Sequence, residues 1–79
     1  MSGETLHRVA MERWALLRSG YAGQLVMSQI DVLGSVVDGI CATDDNVTIR
    51  WNPLRVAQLS DSELREVVVH QVKHWAARA

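Results

Sequence analysis

The sequence has few of the features that mark secreted, membrane-spanning or nucleic-acid-binding proteins. Its single cysteine, Cys41, excludes a disulfide within the chain. No apolar run approaches the roughly 20 residues that a membrane-spanning helix requires. Eight Lys and Arg residues are spread along the chain and are balanced by nine Asp and Glu residues, which leaves a formal net charge of −1. This balance argues against the concentrated basic face of a nucleic-acid-binding protein.

The N-terminal segment also lacks the uncharged apolar stretch of a secretory signal peptide. Its first 18 residues contain five charged side chains, which are Glu4, Arg8, Glu12, Arg13 and Arg18. We therefore predict a cytoplasmic protein in a reducing environment, with neither a membrane nor a nucleic acid as partner.

The length of 79 residues predicts a single domain that spans residues 1–79. A chain of this length buries only about 60% of its unfolded surface, so a monomer has little stabilising core. With 48% hydrophobic residues, an apolar patch is expected to remain at the surface. We therefore expect a protein partner, and a homodimer is the simplest form of one.

Hydrophobic spacing predicts helices at both ends of the chain. Apolar residues three and four apart indicate a helix over residues 4–19 that ends at Gly20, followed by a second helical piece over residues 21–30. A last helix is predicted over residues 61–77, because Ser60 is followed three positions later by a glutamate in a capping-box pattern. Pro53 suits the start of a short helix that extends to about residue 58.

The middle of the chain predicts two strands. Residues 31–35 are expected to be a connection, and residues 36–42 are rich in β-branched side chains. An Asp-Asp-Asn turn at residues 44–46 precedes an alternating strand at residues 47–51, which makes an antiparallel hairpin.

The predicted fold is therefore α+β, with N-terminal helices and a C-terminal helix packed on a small antiparallel β-hairpin. The alternative is a helix-turn-helix fold, against which the hairpin pattern and the neutral charge both weigh. The predicted core consists of Leu6, Val9, Leu17, Leu25, Ile40, Ile49, Trp51, Leu64, Val68 and Trp75.

The most informative motif is the stretch from His70 to His74, which differs by one residue from the HExxH motif of zinc peptidases. Histidines at positions i and i+4 share one helix face and can hold one metal ion. In HExxH the glutamate is the general base that acts on the metal-bound water. Gln71 occupies that position here, and an amide cannot accept the proton. The motif predicts a zinc pair, His70 and His74, without the catalytic group.

A zinc site of this type needs a third protein ligand and a water molecule. The five residues after His74 contain no ligand, and the upstream candidates are His7, Asp38, Cys41, Asp44 and Asp45. The alternative is that both histidines are ordinary, partly exposed side chains. Cys41 is more simply explained as a small core residue than as a nucleophile.

Several short motifs occur in an order that resembles one family. They are Ala-Thr-Asp at residues 42–44, Trp-Asn-Pro at residues 51–53, the cap at residues 59–64 and the motif at residues 70–74. The chain resembles, over about residues 6–75, the zincin-like metallopeptidase domain that precedes a von Willebrand A-like domain in bacterial and phage proteins.

The resemblance implies that His70 and His74 are the first two zinc ligands and that Gln71 stands at the vacated base position. It also implies that the strand at residues 47–51 is an edge on which a peptide could lie. We therefore expect a non-catalytic zincin-like domain that acts as a protein-binding or regulatory module. The alternative is a zinc metallopeptidase domain, seen as a base-inactivated variant or as a fragment of a longer protein.

Overall fold

A computed structural model describes residues 2–36 and 38–78 and confirms the α+β class. The elements in chain order are α1 (Ser2–Arg18), α2 (Gly23–Val26), β1 (Ile30–Leu33), β2 (Cys41–Ala42), β3 (Thr48–Trp51), α3 (Pro53–Val56) and α4 (Asp61–Arg78). The two long helices stand at the ends of the chain, as predicted. None of the helices in the described part of the chain is both long enough and apolar enough to cross a membrane.

The three strands form one mixed sheet in the order β1-β3-β2. β2 pairs antiparallel with β3, with Cys41 opposite Trp51, so the predicted hairpin is confirmed. Its first strand is shorter than predicted, and Val37, inside the predicted range of 36–42, lies outside the described residues. β1 pairs parallel with β3, with Ile30 opposite Thr48. The sheet also rules out the alternative helix-turn-helix fold.

β1 corrects two of the predictions. Residues 21–30 are not one helical piece, because α2 ends at Val26, and residues 31–35 are not a simple connection. The backbone N–H of Ile30 donates to the carbonyl of Val47 over 2.7 Å, which begins the parallel ladder. Pairing with a strand distant in sequence therefore overrides the local helical spacing of the apolar residues.

Two helix ends follow the predicted chemistry. Gly20 has a φ of 100°, and the N–H of Tyr21 donates to the carbonyl of Leu16 over 3.1 Å, which makes a Schellman end to α1. At the start of α4, the N–H of Glu63 donates to Oγ of Ser60 over 3.1 Å, and the N–H of Ser60 donates to Oε1 of Glu63 over 2.8 Å. The reciprocal bonds confirm the capping box.

The core lies between the helices and one face of the sheet. Its fully buried members from the predicted set are Val9, Ile49, Trp51, Leu64 and Val68, and Leu6, Leu17, Leu25 and Ile40 pack against them while partly exposed. Trp75 was predicted in the core but is only half-buried on α4. Ile49 and Trp51 alternate along β3 with the half-exposed Thr48 and Arg50, so the helices cover one face of the sheet.

Candidate functional site

His70 and His74 lie one turn apart on an exposed face of α4. Their Nε2 atoms are 2.9 Å apart, and the rings meet edge to face, with centroids 4.5 Å apart and an interplanar angle of 80°. In this hydrogen bond one Nε2 donates its proton and the other accepts it with its lone pair, so the bond occupies both nitrogens. The structure thus brings both predicted ligands together at one point in solvent.

The spacing is close to what a zinc ion needs. Zn–N bonds of about 2.0–2.1 Å at a tetrahedral angle place the two nitrogens about 3.3 Å apart. The observed 2.9 Å separation would have to widen only slightly. The shared proton and a metal ion would compete for the same lone pairs, so a metal ion could bind both nitrogens only by displacing that proton.

A complete site does not form among residues 2–36 and 38–78, where no group of three His, Cys, Asp or Glu side chains could hold a metal ion. Asp44 pairs with Arg50 over 3.0 Å. Oδ1 of Asp45 accepts from the backbone N–H groups of Thr48 and Val47 over 2.8 Å and 2.9 Å. These bonds hold the pKa of the Asp45 carboxyl below its usual value. Both carboxylates therefore stabilise the β2–β3 hairpin through these contacts.

The other upstream candidates are no better placed. His7 and Asp38 are exposed, on α1 and on the segment before β2. Cys41 is half-buried in β2. Burial, followed by the negative charge of Asp31, raises the pKa of the Cys41 thiol to about 11. A thiol that holds its proton this strongly is a poor nucleophile and a poor metal ligand at neutral pH, which fits the predicted structural role.

Gln71 is half-buried between the histidine pair and the apolar face of α4. Its backbone carbonyl accepts from Nε2 of Gln29 over 2.9 Å, and the same Nε2 donates to the carbonyl of Asn46 over 3.0 Å. Gln29 is thus a clamp between α4 and the turn that precedes β3. Position 71 is held firmly, but with an amide where hydrolysis would need a carboxylate.

Two grooves run along α4 and meet at His70. The α1–α4 groove has a volume of about 560 Å³, and its walls include Leu16, Tyr21, Arg65, Val69, His70 and Lys73. The second groove lies between α4 and the residue that precedes β2, has a volume of about 340 Å³ and is lined by Ile40, Leu59, Glu63, Glu66, Val67 and His70. Both combine apolar walls with charged rims. The sequence reveals the histidine pair by its spacing, but the grooves depend on how α4 packs.

The strand implied as a peptide-binding edge is not an edge. β3 is the central strand, with β1 on one side and β2 on the other. Its backbone groups pair with both neighbours, so a peptide cannot add to it. The prediction failed because it assumed a two-stranded hairpin. The free edges belong to β1 and β2 instead.

Comparisons of the chain with protein-family models, curated proteins and solved structures give no match. The resemblance to zincin-like domains therefore depends on the order of the short sequence motifs and stays a prediction.

Proposed function

We propose that this chain is a non-catalytic, zincin-like domain that works as a regulatory module by binding another protein. One observation carries the proposal. Where hydrolysis needs a carboxylate beside the first histidine, the chain has Gln71, and the described residues bring no third metal ligand to His70 and His74. The two histidines supply part of the ligand set of a zinc peptidase, while the general base and the third ligand are lacking among the described residues.

The missing carboxylate matters because the metal-bound water must lose a proton as it attacks. A positioned general base contributes about 10²–10⁴ to such a rate, and the neutral Gln71 amide has no basic site for that proton. Coordination by two histidines alone also leaves a zinc ion without the third protein ligand that catalytic sites use. The two deficits act together, so correcting one alone is not enough.

The α1–α4 groove is the surface that we assign to the partner. Tyr21 and Val69 supply apolar contact area, and the groove also carries the positive charge of Lys73 and the negative charge of Glu66. Arg65 also lines the groove, but its charge is already paired with Glu12 over 2.8 Å. This combination suits a polypeptide segment that presents an apolar side chain to Tyr21 and an acidic one to Lys73, away from the carboxylate of Glu66.

The loss of catalysis is tested with Gln71→Glu. We expect the zinc-loaded variant to leave a mixture of unstructured peptides uncut, as the original chain does, because the third ligand is still lacking. Zinc-dependent cleavage by Gln71→Glu that vanishes in Gln71→Glu/His70→Ala would overturn the proposal.

Binding is tested with a displayed library of acidic–apolar peptides selected on the original chain. Tyr21→Ser should weaken a selected peptide at least tenfold, and Lys73→Glu should weaken the acidic ligands. Leu54→Ser is the matched control, because Leu54 is 78% exposed and lines neither groove. Equal effects of Tyr21→Ser and Leu54→Ser would remove the groove as the binding surface.

A zinc metallopeptidase with a replaced base is the second candidate, and the convergence of the two Nε2 atoms at 2.9 Å favours it. Calorimetry on metal-stripped protein addresses it directly, with His70→Ala/His74→Ala as the control. Tight one-to-one zinc binding together with hydrolysis by Gln71→Glu would support this candidate. If zinc binds no more tightly to the original chain than to the control, the histidines are part of the scaffold alone.

A further inference from the structure

The outer edge of β1 is free. The N–H groups of Ile30 and Gly34 donate to Val47 and Trp51 of the neighbouring chain segment, so these residues turn their backbone toward β3. Because backbone direction alternates along a strand, the N–H and C=O groups of Asp31 and Leu33 point the other way. No hydrogen bond from another described residue reaches these four groups, since β3 is the sole strand paired with β1.

Part of the exposed apolar surface lies at this edge. Large apolar side chains that are exposed in the described residues are Met11, Trp14, Tyr21, Met27, Ile30 and Leu54. Ile30 is the first residue of β1 and is 58% exposed, and Met27 lies in the connection that leads into β1 and is 50% exposed.

The direction of Trp14 follows from its two neighbours on α1. On α1, Glu12 faces Arg65 of α4, and Arg13 faces Asp31 of β1. Each step along a helix turns by about 100° in one sense, so Trp14 is directed past β1 and away from α4. Its side chain is 53% exposed. A strand added outside β1 would pack against this flank of the helix.

The strand has two of the features that discourage pairing at an exposed edge, its length of four residues and an inward-pointing charge. β1 reads Ile-Asp-Val-Leu, with neither a proline nor a lysine. Its one charge, Asp31, is turned inward and neutralised by Arg13 at 2.7 Å. A second strand could therefore approach without meeting an unpaired charge.

We propose that a second copy of this chain binds here, through antiparallel pairing of β1 with β1 about a two-fold axis at Val32. In this register Asp31 of each copy lies opposite Leu33 of the other. All four free backbone groups on each side are then paired, which gives four hydrogen bonds. Val32 meets its own counterpart in a close, non-hydrogen-bonded pair. The two sheets become one of six strands, and the two Trp14 flanks are partly covered.

The edge fits a copy of the chain better than an unrelated peptide because it is self-complementary. Other registers place two Asp31 carboxylates or two Leu33 side chains opposite each other and leave backbone groups unpaired. The register centred on Val32 avoids both. This surface lies on β1, apart from the α1–α4 groove, so the dimer and the proposed partner binding can fail independently.

The test uses charge at the two-fold axis. We expect the original chain to show a concentration-dependent monomer–dimer equilibrium in sedimentation velocity. Val32→Lys and Val32→Glu should each weaken dimerisation at least tenfold, because like charges meet across the axis. An equimolar mixture of the two should restore a one-to-one heterodimer. Leu54→Lys is the control and should dimerise like the original chain.

Amide hydrogen exchange supplies a second readout that does not depend on a variant. The amides of Asp31 and Leu33 should become protected as the concentration of the original chain rises. A chain that stays monomeric at every concentration would overturn the proposal. So would a dimer that both Val32 variants leave intact, since it would use another surface. Protection of the two amides by added peptides but not by self-association would assign the edge to a peptide instead.

Discussion

Arg13 of α1 and Asp31 of β1 form a buried, two-pronged ion pair. Nε and Nη2 of Arg13 donate to the two carboxylate oxygens of Asp31, each over 2.7 Å. The side chains are 3% and 14% exposed. Nη1 of Arg13 also donates to the carbonyl of Val26 over 2.8 Å, and Nε1 of Trp51 donates to Asp31 over 2.9 Å. The pair therefore fixes α1, β1 and β3 relative to one another.

Removing one partner of this pair should destabilise the domain severely. Arg13→Met leaves Asp31 buried beside an apolar side chain, and breaking a buried pair in this way costs about 3–5 kcal/mol. That is a large part of the about 5–15 kcal/mol that stabilises an average domain. Urea unfolding followed by tryptophan fluorescence and circular dichroism measures the loss.

Arg50→Met is the matched control for Arg13→Met. Arg50 also pairs with an aspartate, Asp44, but their side chains are 35% and 88% exposed. An exposed pair of this kind contributes about 0–1 kcal/mol. Similar losses in the two variants would show that the Arg13–Asp31 pair has no special role in the fold.

The capping box of α4 predicts a specific loss of stability in acid. The N–H of Ser60 donates to the Glu63 carboxylate, and this bond lowers the pKa of Glu63 from its ordinary value of 4.5. A lowered pKa means that the folded state favours the ionised form. The ionised Glu63 carboxylate therefore contributes its full stabilisation above pH 4.5, which is the pKa of this group in the unfolded chain. This stabilisation is lost as the pH falls through the lower pKa of the folded chain.

Comparison with Glu63→Gln isolates this contribution, because glutamine can still accept the bond but does not titrate. Unfolding free energies measured from neutral pH into acid should fall less steeply for Glu63→Gln than for the original chain. Ser60→Ala should cost about 1 kcal/mol at neutral pH through the lost cap. Identical acid slopes in the original chain and Glu63→Gln would contradict the assignment.

The features that the sequence predicts correctly are local. Ser60 and Glu63 are three residues apart, Gly20 follows its helix directly, and His70 and His74 are one turn apart. In each case the interacting groups are neighbours in the chain, so their spacing identifies the structure.

β1 was missed because its partners are distant in sequence. Asp31 contacts Arg13 and Trp51, which are 18 and 20 residues away. Nothing in the short run around Asp31 shows that a buried arginine will neutralise it. The free edge and the grooves could not be predicted from the sequence either, because both depend on how α1 and α4 pack on the sheet.

Replacement by alanine should change the stability of the domain in opposite directions at Gly3, which lies within α1, and at Gly20, which ends it. Gly20 has a φ of 100°, where a side chain is strained, so Gly20→Ala should cost about 1 kcal/mol. Gly3 lies in α1 with no neighbouring atom within 4 Å of an added Cβ. Gly3→Ala should therefore stabilise the domain by about 0.4–1 kcal/mol. Thermal unfolding of both variants tests this, and a shift in the same direction would refute the assignment of the helix end.

Cys41 should behave as a protected thiol whose exposure reports on unfolding. Because its pKa is raised to about 11, little thiolate forms in the folded chain at neutral pH, and reaction with a thiol reagent should be much slower than in urea. The unfolded thiol ionises near its ordinary value of 9.0, while the folded one stays protonated until about 11. Stability should therefore fall as the pH rises from 9.0 toward 11.

The alkaline loss can be separated from other titrations with Cys41→Ala. This variant should lose less stability over the same alkaline range, since it has no thiol to ionise. The reagent rate in the folded original chain should also rise in step with the fraction unfolded by urea. A folded thiol that reacts as fast as the unfolded one would show that β2 does not shield Cys41, and the β2–β3 pairing at Trp51 would have to be looser than the structure shows.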